Sequence, residues 1–301
     1  MPGVDSSDRS DRLPTASVIV AIRNAQTTLR ACLESLLQLE YPRDRLELIC
    51  VDNASTDGTA VVLSEYAGAV TIAHERKRGP AAARNHALRR ASGDVVAFTD
   101  ADCVVDRAWL RRLVAPLGDP GVGVVGGRIL SKRPCNAIER FGERIHDHDR
   151  ALNAFMPPYA ITMNWASRRA AFQTVGLFNE DLQRCSDVDL SYRMIQAGHR
   201  LVYEPRAVVY HRNERTAWGL MYEGYVHGFH ALKVLSLHAV FLQRLRAARY
   251  DAGRVPAPSP ARRGDALWWS LFNLGKRAGR LHGSWVAAPR SGRWSGRVPL
   301  S

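Results

Sequence analysis

Short apolar runs alternate with longer amphipathic segments over the first 130 residues of the chain. The runs are rich in β-branched residues, as buried strands are, whereas the segments between them repeat apolar residues at helical spacing. This pattern predicts strands at residues 17–22, 46–51, 70–73, 94–99 and 122–125. It predicts helices at residues 25–39, 80–91 and 109–117. Strands that alternate with helices favour an α/β fold with a mostly parallel central sheet and helices on both faces.

The pattern weakens at about residues 129–159 and then resumes. It predicts further strands at 161–166, 201–203 and 207–210, and helices at 170–175, 187–197 and 215–245. The stretch VPAPSPARRG is typical of a linker. We therefore expect a flexible N-terminus at 1–15, an α/β domain at 16–213, a helical extension at 214–250, a linker at 251–264 and a basic amphipathic segment at 265–301.

The composition is that of an ordinary globular protein, with 46% apolar and 24% charged residues. The net charge of +13 is unevenly distributed, because residues 241–301 hold twelve Lys and Arg against two Asp. A basic C-terminal region of this kind suits an anionic membrane surface or another polyanion.

The cysteines and the apolar segments indicate the cellular compartment in which we expect the protein. The five cysteines are scattered without a C-x-x-C pair, which is typical of a reducing environment. The polar N-terminus lacks the apolar core of a signal peptide, and no run of about 18 apolar residues is present. We expect a cytoplasmic protein, with peripheral attachment to the inner face of the cell membrane as an open alternative.

Three Asp-x-Asp pairs occur, and the first ends the strand-like run AFTDADCVV at Asp100 and Asp102. Alternate residues of a strand point the same way, so these two carboxylates repel each other unless a cation lies between them. Oxygen ligands of this type suit Mg²⁺ or Mn²⁺. The alternative is that one of the two caps the next helix or holds the turn. Asp52 also ends a predicted strand, and ligands of open α/β sheets gather at that edge.

The other two pairs have different surroundings. Asp147 and Asp149 lie beside two histidines with no strand before them, and we expect a solvated helix face of mixed charge there. Ser186 and Asp189 have the spacing of a capping box, so Asp189 is expected to satisfy the start of a helix. Asp187 is then free to face a cleft and accept a proton.

A helix is predicted to begin at Gly79-Pro80, within RKRGPAAARN. Its N–H groups and positive dipole end would attract phosphate, and Arg84 follows one turn later. A plain Gly-Pro turn before an Ala-rich helix explains the same residues. Neither G-x-G-x-x-G nor a P-loop motif occurs, which excludes the standard dinucleotide and P-loop sites.

Four stretches taken together resemble the family 2 glycosyltransferases, which have the GT-A fold, a Rossmann-like central sheet flanked by helices. The stretches are SVIVAIRNAQTTLRACLESLL, LELICVDNASTDGT, RGPAAARNHALRRASGDVVAFTDADCVV and NWASRRAAFQTVGLFNEDLQRCSDVDLSYRMIQAGHRLVYEPRAVVYH. They span residues 17–211, and their order and spacing make the resemblance specific.

The resemblance implies a nucleotide-sugar donor held over the sheet with Mg²⁺ or Mn²⁺. It implies that the donor nucleotide is bound by Ala21, Arg23, Asn24, Asp52, Arg84 and Asp100, and the predicted helix start adds Gly79, which permits close approach of a phosphate. It implies metal contacts from Asp102, Asp100 and His211, and a catalytic base at Asp187. A histidine after a strand is equally explained as a packing residue, and the neighbouring Arg212 could serve the diphosphate instead.

Two positions depart from the usual family pattern. The first strand has Ala21-Ile22-Arg23-Asn24, where members usually have a Pro-x-Tyr/Phe-Asn-like sequence. The usual Glu-Asp tandem before the late helix is Ser186-Asp187 here. The base is therefore retained while its acidic neighbour is missing, which leaves open any acceptor contact made through that first acid.

The expected reaction is transfer of a sugar to an acceptor hydroxyl, predominantly with inversion, in the synthesis of a cell-envelope glycan, a glycolipid or a secondary metabolite. The extension at 214–250 would cover the acceptor side. A lipid-linked acceptor follows if the tryptophans near 268 lie in a membrane interface rather than on the protein. The alternatives are a sugar nucleotidyltransferase and a non-catalytic polyanion or membrane binder. Nucleic acid binding is not expected, because no recognisable module accompanies the basic residues.

Overall fold

The computed structural model describes residues 13–250 and 265–287. The predicted linker at 251–264 lies outside the described residues, as do residues 1–12 and 288–301.

The α/β region contains eight strands of one sheet. They are β1 (Ala16–Ile22), β2 (Leu46–Asp52), β3 (Thr71–His74), β4 (Val95–Asp100), β5 (Cys103–Val105), β6 (Val122–Ser131), β7 (Trp165–Arg168) and β8 (Arg200–His211). The helices between them are α1 (Leu29–Leu37), α2 (Thr59–Ser64), α3 (Pro80–Leu88), α4 (Trp109–Val114), α5 (Ala137–Ile145), α6 (His148–Asn153), α7 (Arg169–Val175) and α8 (Ser186–Gln196). Three more helices follow, α9 (Ala217–Leu237), α10 (Ala239–Tyr250) and α11 (Asp265–Ala287).

The strand order is β3-β2-β1-β4-β7-β6-β8-β5. The pairs β2–β3, β1–β2, β1–β4 and β6–β8 are parallel, whereas β7 is antiparallel to both of its neighbours and β5 is antiparallel to β8. The predicted α/β class with a mostly parallel sheet is therefore confirmed. The two short strands predicted at 201–203 and 207–210 are one strand, β8, with an irregularity in its pairing with β6.

Helices cover both faces of the sheet, because the central strands are apolar on both sides. Val18 and Val20 of β1 pack in one core with Leu33 of α1, while Ile19 packs in the other core with Leu190 of α8. Fully burying a side chain of this size contributes about 1.5–3 kcal/mol. The two cores hold the strands rigidly, so the side chains at the strand ends have fixed positions.

The weakly patterned segment at 129–159 contains α5, which the sequence did not predict, and α6, which begins within the helix face expected around Asp147 and Asp149. The apolar side of α5 packs on distant residues: Phe141 meets Leu220 of α9 and Phe272 of α11. The prediction of a solvated helix face around 146–149 is wrong for His146 and His148, because both are buried. His148 bonds to Gly127 O at 2.8 Å and accepts from an amide N–H, so it serves the packing of α6 on β6.

The predicted helix at 215–245 is divided at His238, where α9 ends and α10 begins. Helices α9 and α11 run in the same direction and are in close contact, because Gly224 faces Phe272 O and Gly228, one turn later, faces Lys276 O. A Cβ at either glycine would collide with that oxygen. Among the described helices, none combines the length and the apolar character needed to cross a membrane.

Candidate active site

The carboxyl ends of three parallel strands coincide at one edge of the sheet. Ile22 at the end of β1 pairs with Asp52 at the end of β2, and Ala21 pairs with Asp100 at the end of β4. Asp52 pairs in turn with His74, the last residue of β3. The register therefore brings two of the predicted donor-binding carboxylates to either side of β1, as expected for a ligand site in an open α/β sheet.

The first two of these strands continue into loops that are tied together. Asn24 has a left-handed backbone (φ 49°), its N–H donates to Ser55 Oγ, and its side-chain oxygen accepts from Thr56 N at 2.9 Å. Asp52 is buried and its Oδ1 accepts from Ser55 N at 3.1 Å. The neighbouring Arg23 is exposed. Asn24 and Asp52 thus shape the loop pair above the sheet, while Arg23 remains available to a ligand.

Helix α3 begins as predicted, with Pro80 at its first position and Gly79 before it at φ 134°. That backbone conformation is one that residues with a Cβ rarely adopt. The Gly79 N–H donates to Asn53 Oδ1 at 2.8 Å, and no side chain caps the helix start. The first turn of α3 therefore keeps amide N–H groups for an anion, although that of Gly79 is already used.

Arg84 lies in the second turn of α3 and is buried, with 6% of the residue exposed. Its Nη2 donates to Asp100 Oδ1 at 2.8 Å, and its Nε is buried without a hydrogen-bond partner among the described residues. The guanidinium also lies over the ring of Phe178, 5.8 Å from its centroid. A buried cation with an unused N–H donor suits recognition of a further acceptor group.

Asp102 does not extend the strand, contrary to the expectation that both acids hang from its end. The strand β4 ends at Asp100, and Ala101 and Asp102 form the turn into β5. The Asp102 carboxylate remains 41% exposed, and its Oδ2 lies 3.4 Å from Nε2 of His211. The amide of Arg212 donates to the Asp102 carbonyl at 3.3 Å, which fixes this turn against the end of β8.

The Asp102–His211 pair perturbs both groups. Burial lowers the pKa of His211, but the hydrogen bond and the charge of Asp102 outweigh it and raise that pKa to about 9. Burial would raise the pKa of Asp102, but His211 holds it below its ordinary value. The histidine that the resemblance singled out is therefore in contact with Asp102.

Within residues 13–250 and 265–287, no group of three or more His, Cys, Asp or Glu side chains is arranged to hold a metal ion. Mg²⁺ and Mn²⁺ do not require such a cage, since they commonly take one or two carboxylates together with phosphate oxygens and water. The partly exposed Asp102 carboxylate fits an ion of this kind. Asp100 lies two residues before it in the sequence, and the pairing of β5 with β8 brings the His211 ring close to it.

Asp187 lies in the first turn of α8. Its Oδ1 accepts from the N–H of Val188 at 2.9 Å, and its Oδ2 is 3.5 Å from the N–H of Thr162. Burial raises the pKa of the Asp187 carboxyl, and the nearby positive charge of Arg84 partly opposes that rise. A carboxylate with a raised pKa, under the influence of the charge of Arg84, is suited to accept a proton.

Asp189 does not cap α8, and the capping-box prediction is wrong. The residue before the helix is Cys185, in a left-handed conformation and without a side-chain cap. The buried Asp189 carboxylate accepts from Arg193 at 2.7 Å and lies 2.9 Å from Nε2 of His238. Asp189 therefore links α8 to the junction of α9 and α10.

Sequence reasoning missed three residues around His211: the buried His146 and Asn213, and the partly buried Glu223, which pairs with His146. Only Asn213 could have been found, because it lies two residues after His211 in the sequence. The other two lie on α5 and α9, and no spacing in the sequence connects them to the site.

A cavity of about 560 Å³ lies elsewhere and contains none of the predicted site residues. It is bounded by β6, α5, α6 and the start of α11, with Arg128, Arg140 and Asp149 among its lining residues.

Comparison with known proteins identifies a family. The sequence profile of Glycosyl transferase family 2 matches residues 17–176, about half of the chain.

Two curated relatives and one solved structure are similar to the chain. Glycosyltransferase AglE of Haloferax volcanii is 29% identical over 197 residues, which cover 64% of this chain and 64% of that protein. Pre-mycofactocin glycosyltransferase of Mycobacterium tuberculosis is 30% identical over 293 residues, which cover 92% of this chain and 56% of that protein. The chain thus spans less than two thirds of the length of either relative.

The solved structure is the mannosyltransferase PcManGT from Pyrobaculum calidifontis in complex with GDP-Man and Mn²⁺. It superposes with a TM-score of 0.62 at 24% identity, covering 94% of this chain and 77% of that one. At this identity the likeness concerns the fold, and it extends beyond the sheet to most of the described helices.

Proposed function

Because the chain belongs to glycosyl transferase family 2, we propose that it transfers a sugar from a nucleotide-sugar donor to an acceptor hydroxyl. The observation that carries the proposal is the ion pair between the buried guanidinium of Arg84 and the carboxylate of Asp100 at the end of β4. Arg84 binds Asp100 at 2.8 Å and also acts on the charge of Asp187. The charge of one guanidinium thereby acts on both the donor-binding edge and the proposed proton acceptor.

The donor nucleotide is proposed to lie over the ends of β1, β2 and β4. Asp52 and Asn24 hold the two loops that would enclose the nucleoside, and Ala21 leaves space between the strand-end acids. The uncapped first turn of α3 after Gly79 supplies N–H donors for phosphate oxygens. The unused Nε–H of Arg84 supplies another donor to the nucleotide.

Divalent metal dependence is the finer part of the proposal. Asp102, Asp100 and His211 would hold Mg²⁺ or Mn²⁺, with water and phosphate oxygens completing the coordination. When bound, the ion would act as a Lewis acid that stabilises the diphosphate leaving group. The exposed carboxylate of Asp102 and the neighbouring ring nitrogen of His211 support this ligand set.

Asp187 is proposed as the general base of an inverting displacement. Its carboxylate takes the proton of the acceptor hydroxyl as the acceptor oxygen forms a bond to the anomeric carbon. The bond from that carbon to the diphosphate oxygen breaks, and its electron pair leaves with the nucleoside diphosphate. The raised pKa of Asp187 supports this role, because a stronger base is a better proton acceptor.

Thermal-shift measurements with nucleotides and nucleotide-sugars, with and without Mn²⁺, test the donor and metal parts together. We expect one nucleotide class to raise Tm more with Mn²⁺ than without it. Asp102→Ala should abolish the Mn²⁺-dependent part, whereas Asp44→Ala, an exposed acid away from the strand ends, should keep it. No stabilisation by any nucleotide would contradict the proposal.

An anionic membrane surface is proposed as a further partner, with a lipid-linked hydroxyl as the acceptor. Leu267, Leu274 and Leu281 recur every seven residues along α11 and are exposed, as is Trp285. Such spacing places them on one side of the helix. The same helix carries three cations, Lys276, Arg277 and Arg280. Exposed apolar residues together with cations suit the interface of a membrane that contains anionic lipids.

Vesicle co-sedimentation distinguishes this partner from others. We expect binding to phosphatidylglycerol-containing vesicles, weaker binding to pure phosphatidylcholine, and loss on Leu281→Ser with Trp285→Ser. Val61→Ser removes an equally exposed apolar residue far from α11 and should change nothing. Equal binding by both variants would refute the α11 surface as the attachment site.

A further inference from the structure

We propose that Asn213, His146 and Glu223 form a positioning network that fixes the ring of His211 and couples helix α9 to the cation side of the site. The inference rests on the proposed function and adds three residues to it. None of the three contacts Asp102 or Asp100 among the hydrogen bonds and ion pairs of the described residues, so each would act through His211.

The orientation of the Asn213 amide is determined by its surroundings. Its Nδ2 donates to Ser131 Oγ at 2.8 Å and to Glu139 O at 3.0 Å. Ser131 Oγ itself donates to Glu139 O, so it can only accept from Asn213. The side-chain oxygen of Asn213 must therefore face the other way, towards the histidines.

That oxygen fixes the proton of His211. Nδ1 of His211 lies 2.7 Å from Asn213 Oδ1, and an amide oxygen only accepts, so Nδ1 carries a hydrogen. Nε2 is then the ring nitrogen that faces Asp102, with 3.4 Å between it and Oδ2. Metal-binding histidines are commonly oriented by a hydrogen bond at the other ring nitrogen.

His146 extends the network to the helical extension. Its Nδ1 lies 3.3 Å from the same Asn213 oxygen, and its Nε2 lies 3.2 Å from Glu223 Oε1 on α9. The His146 ring also packs edge-on against the His211 ring, with centroids 5.0 Å apart. Moving Glu223 would thus release the ring that supports His211 from the side.

The packing around the network leaves little room for alternatives. A Cβ at Gly142 of α5 would collide with the Asn213 side chain, so a residue without a side chain is needed there. Asn213, His146 and His211 are each less than 10% exposed. The chain passes from Asn213 into α9 within four residues, so a displacement of that helix would be transmitted directly to Asn213.

Mn²⁺ binding by the full chain without donor, measured by electron paramagnetic resonance, tests the coupling. We expect Glu223→Ala to weaken Mn²⁺ about 10- to 100-fold although it is not a ligand, as loss of an outer partner typically does. His211→Ala should weaken binding at least as much, and the double variant should lose little more than His211→Ala. Glu214→Ala, an exposed acid just before α9, should bind as the unaltered chain does.

Unchanged Mn²⁺ affinity in a folded Glu223→Ala protein, or losses that add in the double variant, would overturn the network. Glu223→Gln, which keeps an oxygen for His146, should recover most of the affinity and excludes an effect of folding alone.

A second readout does not depend on metal. In the nuclear magnetic resonance spectrum of the metal-free protein, a protected Nδ1–H resonance of the ring that is absent from His211→Ala should report the bond to Asn213. It should disappear in Asn213→Ala. Its persistence there would refute the network, whereas a protein that binds no Mn²⁺ but shows this resonance would refute only the metal part of the proposed function.

Discussion

Arg84 and Asp100 form an ion pair with 2.8 Å between Nη2 and Oδ1, and 7% of the arginine side chain is exposed. The pair joins the helix that begins after Gly79 to the end of the strand that leads into the turn of Asp102. The same guanidinium lowers the pKa of Asp187, against the effect of burial. One cation therefore acts on both the donor side and the proposed base.

Arg84→Met should weaken nucleotide binding and also change the pH dependence of turnover. The guanidinium favours the ionised form of Asp187, so its removal raises the pKa of that carboxyl further. The base is active when deprotonated, and the acid limb of the kcat profile should therefore move to higher pH. An acid limb that stays in place or moves to lower pH would show that Arg84 and Asp187 are not coupled.

Asp187→Asn should reduce kcat by about 10²- to 10⁴-fold, the usual range for a general base. The amide has the same shape but cannot take the proton of the acceptor. Donor affinity, measured by calorimetry, should remain nearly unchanged because the change is confined to the acceptor side. Normal turnover in this variant would refute the base assignment, and equal loss of donor binding would point to a structural role.

Asp102→Asn should abolish metal-dependent donor binding while leaving the fold intact, since its carboxylate is 41% exposed. Calorimetric titration of nucleoside diphosphate with and without Mn²⁺ measures the difference. The variant should bind the nucleotide equally under both conditions. A Mn²⁺ response like that of the unaltered chain would remove Asp102 from the proposed metal ligands.

The strand-end acids and the start of α3 could be predicted because each depends on neighbouring residues. An apolar run that ends on Asp100 identifies a strand and its end, and Gly79-Pro80 identifies a helix start. The α/β alternation implies parallel strands, which brings Asp52 to the same edge of the sheet as Asp100.

The partners of Asp102 and Asp189 could not be predicted in the same way. His211 lies 109 residues beyond Asp102 and meets it only because β5 pairs with β8. Asp189 has the spacing of a helix cap, but its carboxylate binds His238 instead. In both cases tertiary packing determines whether the carboxylate binds a local or a distant partner, and the neighbouring sequence does not indicate which one it binds.

Asp189→Ala should reduce the free energy of unfolding by about 3–5 kcal/mol, because it leaves Arg193 and His238 without their buried acceptor. Urea denaturation measures the change. Glu65→Ala removes the exposed pair with Arg30 and should cost no more than about 1 kcal/mol. Equal losses in the two variants would mean that the Asp189 cluster does not join α8 to the extension in solution.

Gly224→Ala tests the close contact between α9 and α11. In an isolated helix this change should stabilise by about 1 kcal/mol, because glycine is a poor helix former. Here the added methyl group meets the carbonyl of Phe272, which belongs to rigid backbone, and overpacking of this kind costs about 1–3 kcal/mol. We therefore expect a lower Tm, whereas Gly68→Ala, with no atom within 4 Å of the added Cβ, should show no such loss. A higher Tm for Gly224→Ala would mean that propensity outweighs packing and that the two helices are not in backbone contact.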